Sequence, residues 1–155
     1  MFVLLRHLQQ LRRSAALPRT ATRGSLALRH VDAGSCNGCE HELGAVTGVY
    51  YDLQQYGLDV VASPRHADVL LVTGAVTTRM AGPLQAAYAA MPEPRLVAAL
   101  GDCALGRGVL GTASELAGPL DGLLPVDLRI PGCPPAPAVI AEHLVAALRD
   151  RAAGS

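Results

Sequence analysis

The feature that most constrains this 155-residue chain is the alternation of short apolar segments with longer segments of helical character. Residues 68–73 read Asp-Val-Leu-Leu-Val-Thr, which is typical of a strand buried on both faces. Further strands are predicted at residues 26–31, 58–62, 95–100 and 126–130. Helices are predicted from residue 39 or 40 through 51, at 80–91 and at 135–149. Such alternation predicts an α/β fold, with a parallel sheet covered by helices on both faces.

The four cysteines of the chain all lie in turns rich in glycine, and each turn follows a predicted strand. They are Cys36, Cys39, Cys103 and Cys133. Because the carboxyl ends of parallel strands meet at one edge of a sheet, cysteines distant in sequence are expected to converge there. Four thiolates are the ligand set of a cubane iron–sulfur cluster, and glycine lets the backbone approach inorganic sulfide closely.

Two other uses of these cysteines stay open on spacing alone. A Cys-x-x-Cys pair after a strand also occurs in thioredoxin-like redox proteins, but that use leaves Cys103 and Cys133 unexplained. A structural zinc site usually has two Cys-x-x-Cys knuckles, whereas this chain has one knuckle and two single cysteines.

Charge and hydropathy exclude several classes of protein. Lys and Arg together number 13, as do Asp and Glu, so the net charge of zero argues against a general nucleic-acid binder. No apolar run reaches the roughly 18–20 residues of a membrane-spanning helix. The pair Arg12-Arg13 lacks the apolar stretch that follows a twin-arginine export signal, and a cytoplasmic location is therefore predicted.

The chain is predicted to divide at residue 24. Residues 2–13 have apolar side chains near helical spacing, with basic residues between them, which indicates an amphipathic helix. A polar linker follows at 17–24. The predicted organisation is thus an N-terminal helix and linker at 1–24 and an α/β domain at 25–155 that carries the cysteines.

Three ordered motifs, at residues 32–40, 101–104 and 130–135, resemble the small-subunit family shared by [NiFe] hydrogenases and respiratory complex I. The resemblance implies a flavodoxin-like fold and one [4Fe–4S] cluster held by the four cysteines. It also implies an electron relay beside the active site of a hydrogenase-type large subunit, in an oxidoreductase complex where this chain is not catalytic alone. Further expected partners are a ferredoxin-like electron-transfer subunit and membrane subunits of the complex.

The first motif separates the branches of this family. Complex I subunits resemble one another in having two adjacent cysteines there, whereas Asn37 and Gly38 separate Cys36 from Cys39. This spacing is most similar to the energy-converting, formate-hydrogenlyase-type hydrogenases. The alternatives are a quinone-reducing, complex I-like subunit with the same cluster and a zinc-stabilised scaffold.

Two acidic residues beside the cysteines have candidate roles. Glu40 matches the family motif, which implies a proton-path or interface carboxylate, although a carboxylate at the start of a helix is also favourable electrostatically. Asp102, one residue before Cys103, is expected to cap its turn.

Overall fold

The computed structural model describes residues 24–109 and 114–153. The predicted helix at 2–13 lies outside the described residues, and the division of the chain at residue 24 stays a prediction. Five strands form the main sheet: β1 Leu26–Asp32, β2 Leu58–Val60, β3 Val69–Thr73, β5 Leu96–Leu100 and β7 Leu128–Ile130. Two short strands, β4 Val76–Thr77 and β6 Leu116–Gly118, pair separately. The α-helices are α1 Gly38–Thr47, α2 Thr78–Ala89 and α3 Pro137–Ala153.

The main sheet is parallel throughout, in the order β2-β1-β3-β5-β7. Counted along the chain, its five strands have the order 2-1-3-4-5, which is that of flavodoxin-like folds. The predicted fold class is therefore confirmed. The strand order reverses between β1 and β3, so a crevice is expected at their carboxyl ends.

The sheet separates two hydrophobic clusters, because successive side chains of a strand point to opposite faces. On β3, Val69 and Leu71 belong to the first cluster, whereas Leu70 and Val72 belong to the second. Helices α1 and α3 cover the first face and α2 covers the second. The helix residues in the clusters are Leu43, Val46, Ile140 and Leu144 on the first face and Leu84 on the second.

The predicted end of α1 is wrong. The helix stops at Thr47 instead of running through residue 51, because Gly48 takes an extended conformation with ψ 168°. Val49 after it is fully exposed, so no apolar contact favours a further helical turn. Leu53–Tyr56 then forms a short 3₁₀ helix that buries Leu53 and Tyr56.

Most of the other elements differ from the prediction at their ends. Strands β2 and β7 have three residues each, and α3 begins at Pro137 and extends to Ala153. The sequence did not predict the antiparallel pair of β4 and β6. Within residues 24–109 and 114–153, no helix is long and apolar enough to cross a membrane.

Candidate functional site

The turn after β1 is shaped by the carboxylate of Asp32. Its Oδ1 accepts hydrogen bonds from the backbone N–H groups of Gly34 and Ser35, each at 2.9 Å. Ser35 Oγ in turn accepts from the N–H two residues further on, at 3.1 Å. This local network leaves Cys36 exposed in the turn and brings Cys39 into the first turn of α1, where it is partly buried.

The loop after β3 supports this first cysteine turn. Gly34 and Gly74 have φ values of 133° and 78°, a region that L side chains rarely adopt. A Cβ at Gly74 would lie 2.6 Å from the carbonyl carbon of Gly34, and one at Gly34 would lie 2.6 Å from Thr77 Cγ2. The N–H of Thr77 donates to the carbonyl of Ala33 at 3.0 Å. Glycine at both positions is what allows the two loops to pack this closely.

Asp102 joins the turns that carry Cys103 and Cys133. Its N–H donates to the carbonyl of Gly132 at 2.8 Å, and its Oδ1 accepts from the N–H of Gly132 at 2.9 Å. The N–H of Arg107 donates to the Asp102 carbonyl at 2.8 Å. The Asp102 side chain thus caps the neighbouring turn after β7 instead of its own turn, which is closed by the Asp102 backbone carbonyl.

The first cysteine turn lies against both of the others. Gly101 has φ 89°, and a Cβ there would lie 2.5 Å from Cys39 Sγ. A Cβ at Gly38 would lie 3.5 Å from Cys36 Sγ and 3.7 Å from Pro134 Cγ. Cysteine segments more than 60 residues apart in the sequence thus converge at the carboxyl edge of the sheet. At position 101 any side chain would occupy space that the Cys39 sulfur needs.

The pKa of Cys39 reflects first its burial and then the groups around it. Burial raises the pKa of the Cys39 thiol to about 12, and the nearby Glu40, Cys103, Cys36 and Cys133 add to the rise. Its thiol is thus protonated at neutral pH, and a metal group that takes the thiolate has to displace this proton.

The donor set and the glycine-lined turns fit a cluster bound by four thiolates. Cys36 and Cys133 are exposed, whereas Cys39 and Cys103 are partly buried, and none forms a disulfide. Among residues 24–109 and 114–153, no three or more Cys, His, Asp or Glu side chains are grouped as a single metal ion requires. Whether these cysteines serve as ligands stays a prediction.

Glu40 lies in the first turn of α1, directly after Cys39. Both of its carboxylate oxygens are buried and have no hydrogen-bond partner among the described residues. Oε1 is 3.8 Å from His30 Nε2, and that nitrogen forms a hydrogen bond of 2.9 Å with Thr73 Oγ1. Burial lowers the pKa of His30, opposed by Glu40 and Asp32, and Arg29 lowers it further.

The sequence predicted no role for His30 or Thr73. Neither residue belongs to a motif, and they are 43 positions apart. The signal that was available is their position: both lie near the ends of predicted strands that precede the crevice.

Comparison with known proteins identifies the family. Residues 36–147 match the family described as NADH ubiquinone oxidoreductase, 20 Kd subunit. The chain belongs to this family. It is 43% identical to the probable membrane-bound hydrogenase subunit mbhJ of Pyrococcus furiosus, over 79% of this chain and 74% of that protein. Formate hydrogenlyase subunit 7 of Escherichia coli is 42% identical over 80% of this chain, which spans only 48% of that subunit.

One solved structure matches this chain in both fold and sequence. A chain of the membrane-bound sulfane sulfur reductase, an archaeal respiratory membrane complex, has a TM-score of 0.69 and 30% identity. The match covers 81% of this chain and 71% of that chain. The resemblance based on the cysteine motifs is thus confirmed, as is the expectation of a family whose members are subunits of oxidoreductase complexes.

Proposed function

We propose that this chain is an electron-transfer subunit of a hydrogenase-related oxidoreductase complex and carries one [4Fe–4S] cluster. Its ligands are the thiolates of Cys36, Cys39, Cys103 and Cys133. The observation that carries this proposal is the contact between the three cysteine turns, which glycine at 101 makes possible. A bound cluster of this type accepts and releases one electron.

The residues around the thiols have supporting roles in this proposal. Asp32 and Asp102 accept hydrogen bonds from backbone N–H groups and so hold the backbone of the turns that carry the thiols. Gly101 leaves room for the Cys39 sulfur. Pro134 has no N–H and restricts the backbone directly after Cys133.

Exposure at the site supports a partner subunit. Cys36 and Cys133 are exposed, and a cluster held there needs a further protein surface to exclude solvent. We propose that a hydrogenase-type large subunit supplies this surface and the catalytic centre, and that a ferredoxin-like subunit exchanges electrons with the cluster. Relatives named as parts of membrane-bound complexes support attachment to a membrane through partner subunits, and we propose that this is at its cytoplasmic face. Glu40 is proposed to face this interface or a proton path.

A second candidate is a quinone-reducing, complex I-like subunit with the same cluster. The description of the family as NADH ubiquinone oxidoreductase favours it. The two residues between Cys36 and Cys39 count against it. The genes beside the one for this chain would separate the two candidates. A gene for a large subunit with two Cys-x-x-Cys motifs, which supply nickel ligands, would favour the hydrogenase-related function. A large subunit without these motifs favours the second candidate or a complex that has lost nickel.

The proposed relay is tested by electron paramagnetic resonance (EPR) on protein purified without oxygen. A signal of a reduced cubane should appear with dithionite and disappear reversibly on mild oxidation. Protein that stays silent after reduction and contains zinc would contradict the proposal and leave a zinc-stabilised scaffold as the better account.

A further inference from the structure

A groove of about 430 Å³ lies at the amino end of the sheet, between α3 and the edge strand β7. Leu96 of β5 and Leu128 of β7 line it from the sheet, and α3 contributes Ala146 and Ala147. Because the alanine side chains are small, the helix leaves both leucines partly exposed. The groove is therefore an apolar surface at the edge of the fold.

The rim of this groove is acidic. Asp127 and Asp150 line it, and both residues are exposed. Arg151 also lines the groove, but its Nη1 is 3.0 Å from Oδ1 of Asp68, so its charge is offset within the fold. Nδ1 of His143, a further lining residue, is engaged with a backbone carbonyl of α3 at 2.8 Å. The groove thus presents two carboxylates to an incoming group.

The charges of the chain are divided unevenly along the sequence. Residues 1–23 include five arginines and no acidic residue, whereas all 13 Asp and Glu residues lie in 24–155, together with eight arginines. With His neutral, the first segment carries a charge of +5 and the remainder a charge of −5. The neutral net charge therefore hides two parts of opposite charge, which attract each other.

The sequence of the basic segment predicts an apolar face that matches the groove. Residues 1–23 lie outside the described part of the chain, but a helix is predicted at 2–13. Leu4, Leu8 and Leu11 are spaced by four and three positions, so such a helix has them on one side. A row of leucines beside basic residues is the counterpart of an apolar groove with an acidic rim.

The basic segment joins the fold beside the groove. A Cβ at Gly24 would lie 3.7 Å from Cδ1 of Leu148, the residue of α3 that follows Ala147 of the groove wall. The ten residues 14–23 span up to about 33 Å when extended, whereas a helix is about 10 Å wide. The connection is thus long enough to carry residues 2–13 around α3 to the groove.

We propose that residues 2–13 bind in this groove of their own chain as an amphipathic helix. Their leucines cover Leu96 and Leu128, and their arginines face Asp127 and Asp150. The interaction covers the amino end of the sheet and leaves the cysteine turns at the opposite end accessible. It does not depend on the proposed cluster.

Photo-crosslinking in the full chain tests the location of the segment. p-Benzoylphenylalanine in place of Ala146 should crosslink on illumination to residues 2–13 of the same chain, identified by mass spectrometry of monomeric product. The same amino acid in place of Gln85, exposed on the opposite face of the sheet, should not. Crosslinks only between two chains would overturn the proposal and indicate a second copy in the groove.

The absence of any crosslink to residues 2–13 would also overturn the proposal. Binding of the full chain to phosphatidylglycerol vesicles would then identify an anionic membrane as the site of the basic segment.

A matched pair of variants in the segment tests the chemistry of binding. Leu8→Asp places a charge among the leucines and should reduce the crosslink from position 146 at least fivefold. Amide hydrogen exchange of residues 143–151 should become at least threefold faster in the same variant. Gln9→Asp adds the same charge away from the leucines and should keep most of the crosslink. Equal yields in Leu8→Asp and Gln9→Asp would contradict docking through the apolar face.

Discussion

At both ends of the parallel sheet, aspartate carboxylates accept hydrogen bonds from backbone N–H groups, but they connect different parts of the structure. At the amino end, Asp68 Oδ2 accepts from the N–H of Ala27, and Asp127 Oδ2 accepts from the N–H of Val97, each at 2.8 Å. These carboxylates connect residues of neighbouring strands. At the carboxyl end, Asp32 and Asp102 accept from N–H groups of the turns that carry cysteine.

Glycines with positive φ lie at both ends of the sheet, but those at the carboxyl end lie within or beside the cysteine turns. Four glycines with positive φ lie at the carboxyl end, within or beside the cysteine turns, and a Cβ at each would overlap a neighbouring atom. They are Gly34, Gly74, Gly101 and Gly132. Variants at the amino end should therefore change only the stability of the fold, whereas variants at the carboxyl end should also change the cluster.

The largest effect is expected for Cys133→Ala. Cys133 is exposed, so the fold should persist, but a cubane that loses one of four thiolates should not assemble in full. Iron content and the EPR signal of the reduced cluster should both fall sharply, while the far-ultraviolet circular dichroism spectrum stays unchanged. Val109→Ala, at another exposed position, should keep all three readouts. A complete cluster in Cys133→Ala would remove this residue from the ligand set.

Gly101→Ala should damage both the site and the fold. The residue has φ 89°, and its new Cβ would overlap Cys39 Sγ, so we expect loss of most of the cluster. The free energy of unfolding should fall by about 1–3 kcal/mol because of backbone strain. Gly82→Ala is the matched control, since its Cβ meets open space in a helix and should stabilise the fold by up to about 1 kcal/mol. A full cluster in the Gly101→Ala protein would contradict the claim that glycine at the carboxyl end of the sheet is required for cluster binding.

Asp127→Ala should lower the stability of the fold and leave the cluster intact. Loss of the hydrogen bond to Val97 should lower the free energy of unfolding by about 1–3 kcal/mol, measured by urea denaturation. Iron per folded chain should stay the same, because Asp127 lies at the end of the sheet away from the cysteines. Asp121→Ala is the control, since the one polar contact of this half-exposed residue within the described part of the chain is a 3.8 Å ion pair with Arg129. Loss of iron without loss of stability would contradict the division between the two ends.

The smallest expected effect is the pH dependence due to His30. In the folded chain, burial lowers the pKa of His30 below its ordinary value of 6.5. Below about pH 6.5 the unfolded chain therefore binds the proton more readily than the folded chain does. This part of the stability is present above pH 6.5 and is lost as the pH falls toward the folded pKa. Urea denaturation at pH 7.5 and 5.5 should show a smaller loss in His30→Gln than in the wild type. His41→Gln, at an exposed position, should behave like the wild type.

Much of the fold was predictable, because its buried strands are continuous apolar runs. Residues 68–73 and 95–100 identify β3 and β5 almost to the residue. Strands β4 and β6 have only two and three residues, too few to carry a periodic pattern. The end of α1 was misjudged because Tyr50 and Tyr51 extend its apolar character beyond Gly48, where the backbone leaves the helix.

The candidate site was predictable only in part. Each cysteine turn follows a predicted parallel strand, which indicates that the three turns share one edge, and the turns do meet there through Gly101 and Gly38. The contact between His30 and Thr73 joins adjacent strands and depends on their register, in which His30 lies opposite Leu71. The spacing of residues along the sequence does not reveal which residues of two neighbouring strands lie opposite each other.

The most direct test of the central claim is the count of iron and acid-labile sulfide per chain in protein purified without oxygen. One cluster on the four converged cysteines predicts about four irons and about four sulfides per chain. Zinc at about one per chain with no sulfide would contradict the claim, and the convergence of the turns would then describe a metal-stabilised scaffold instead of an electron relay.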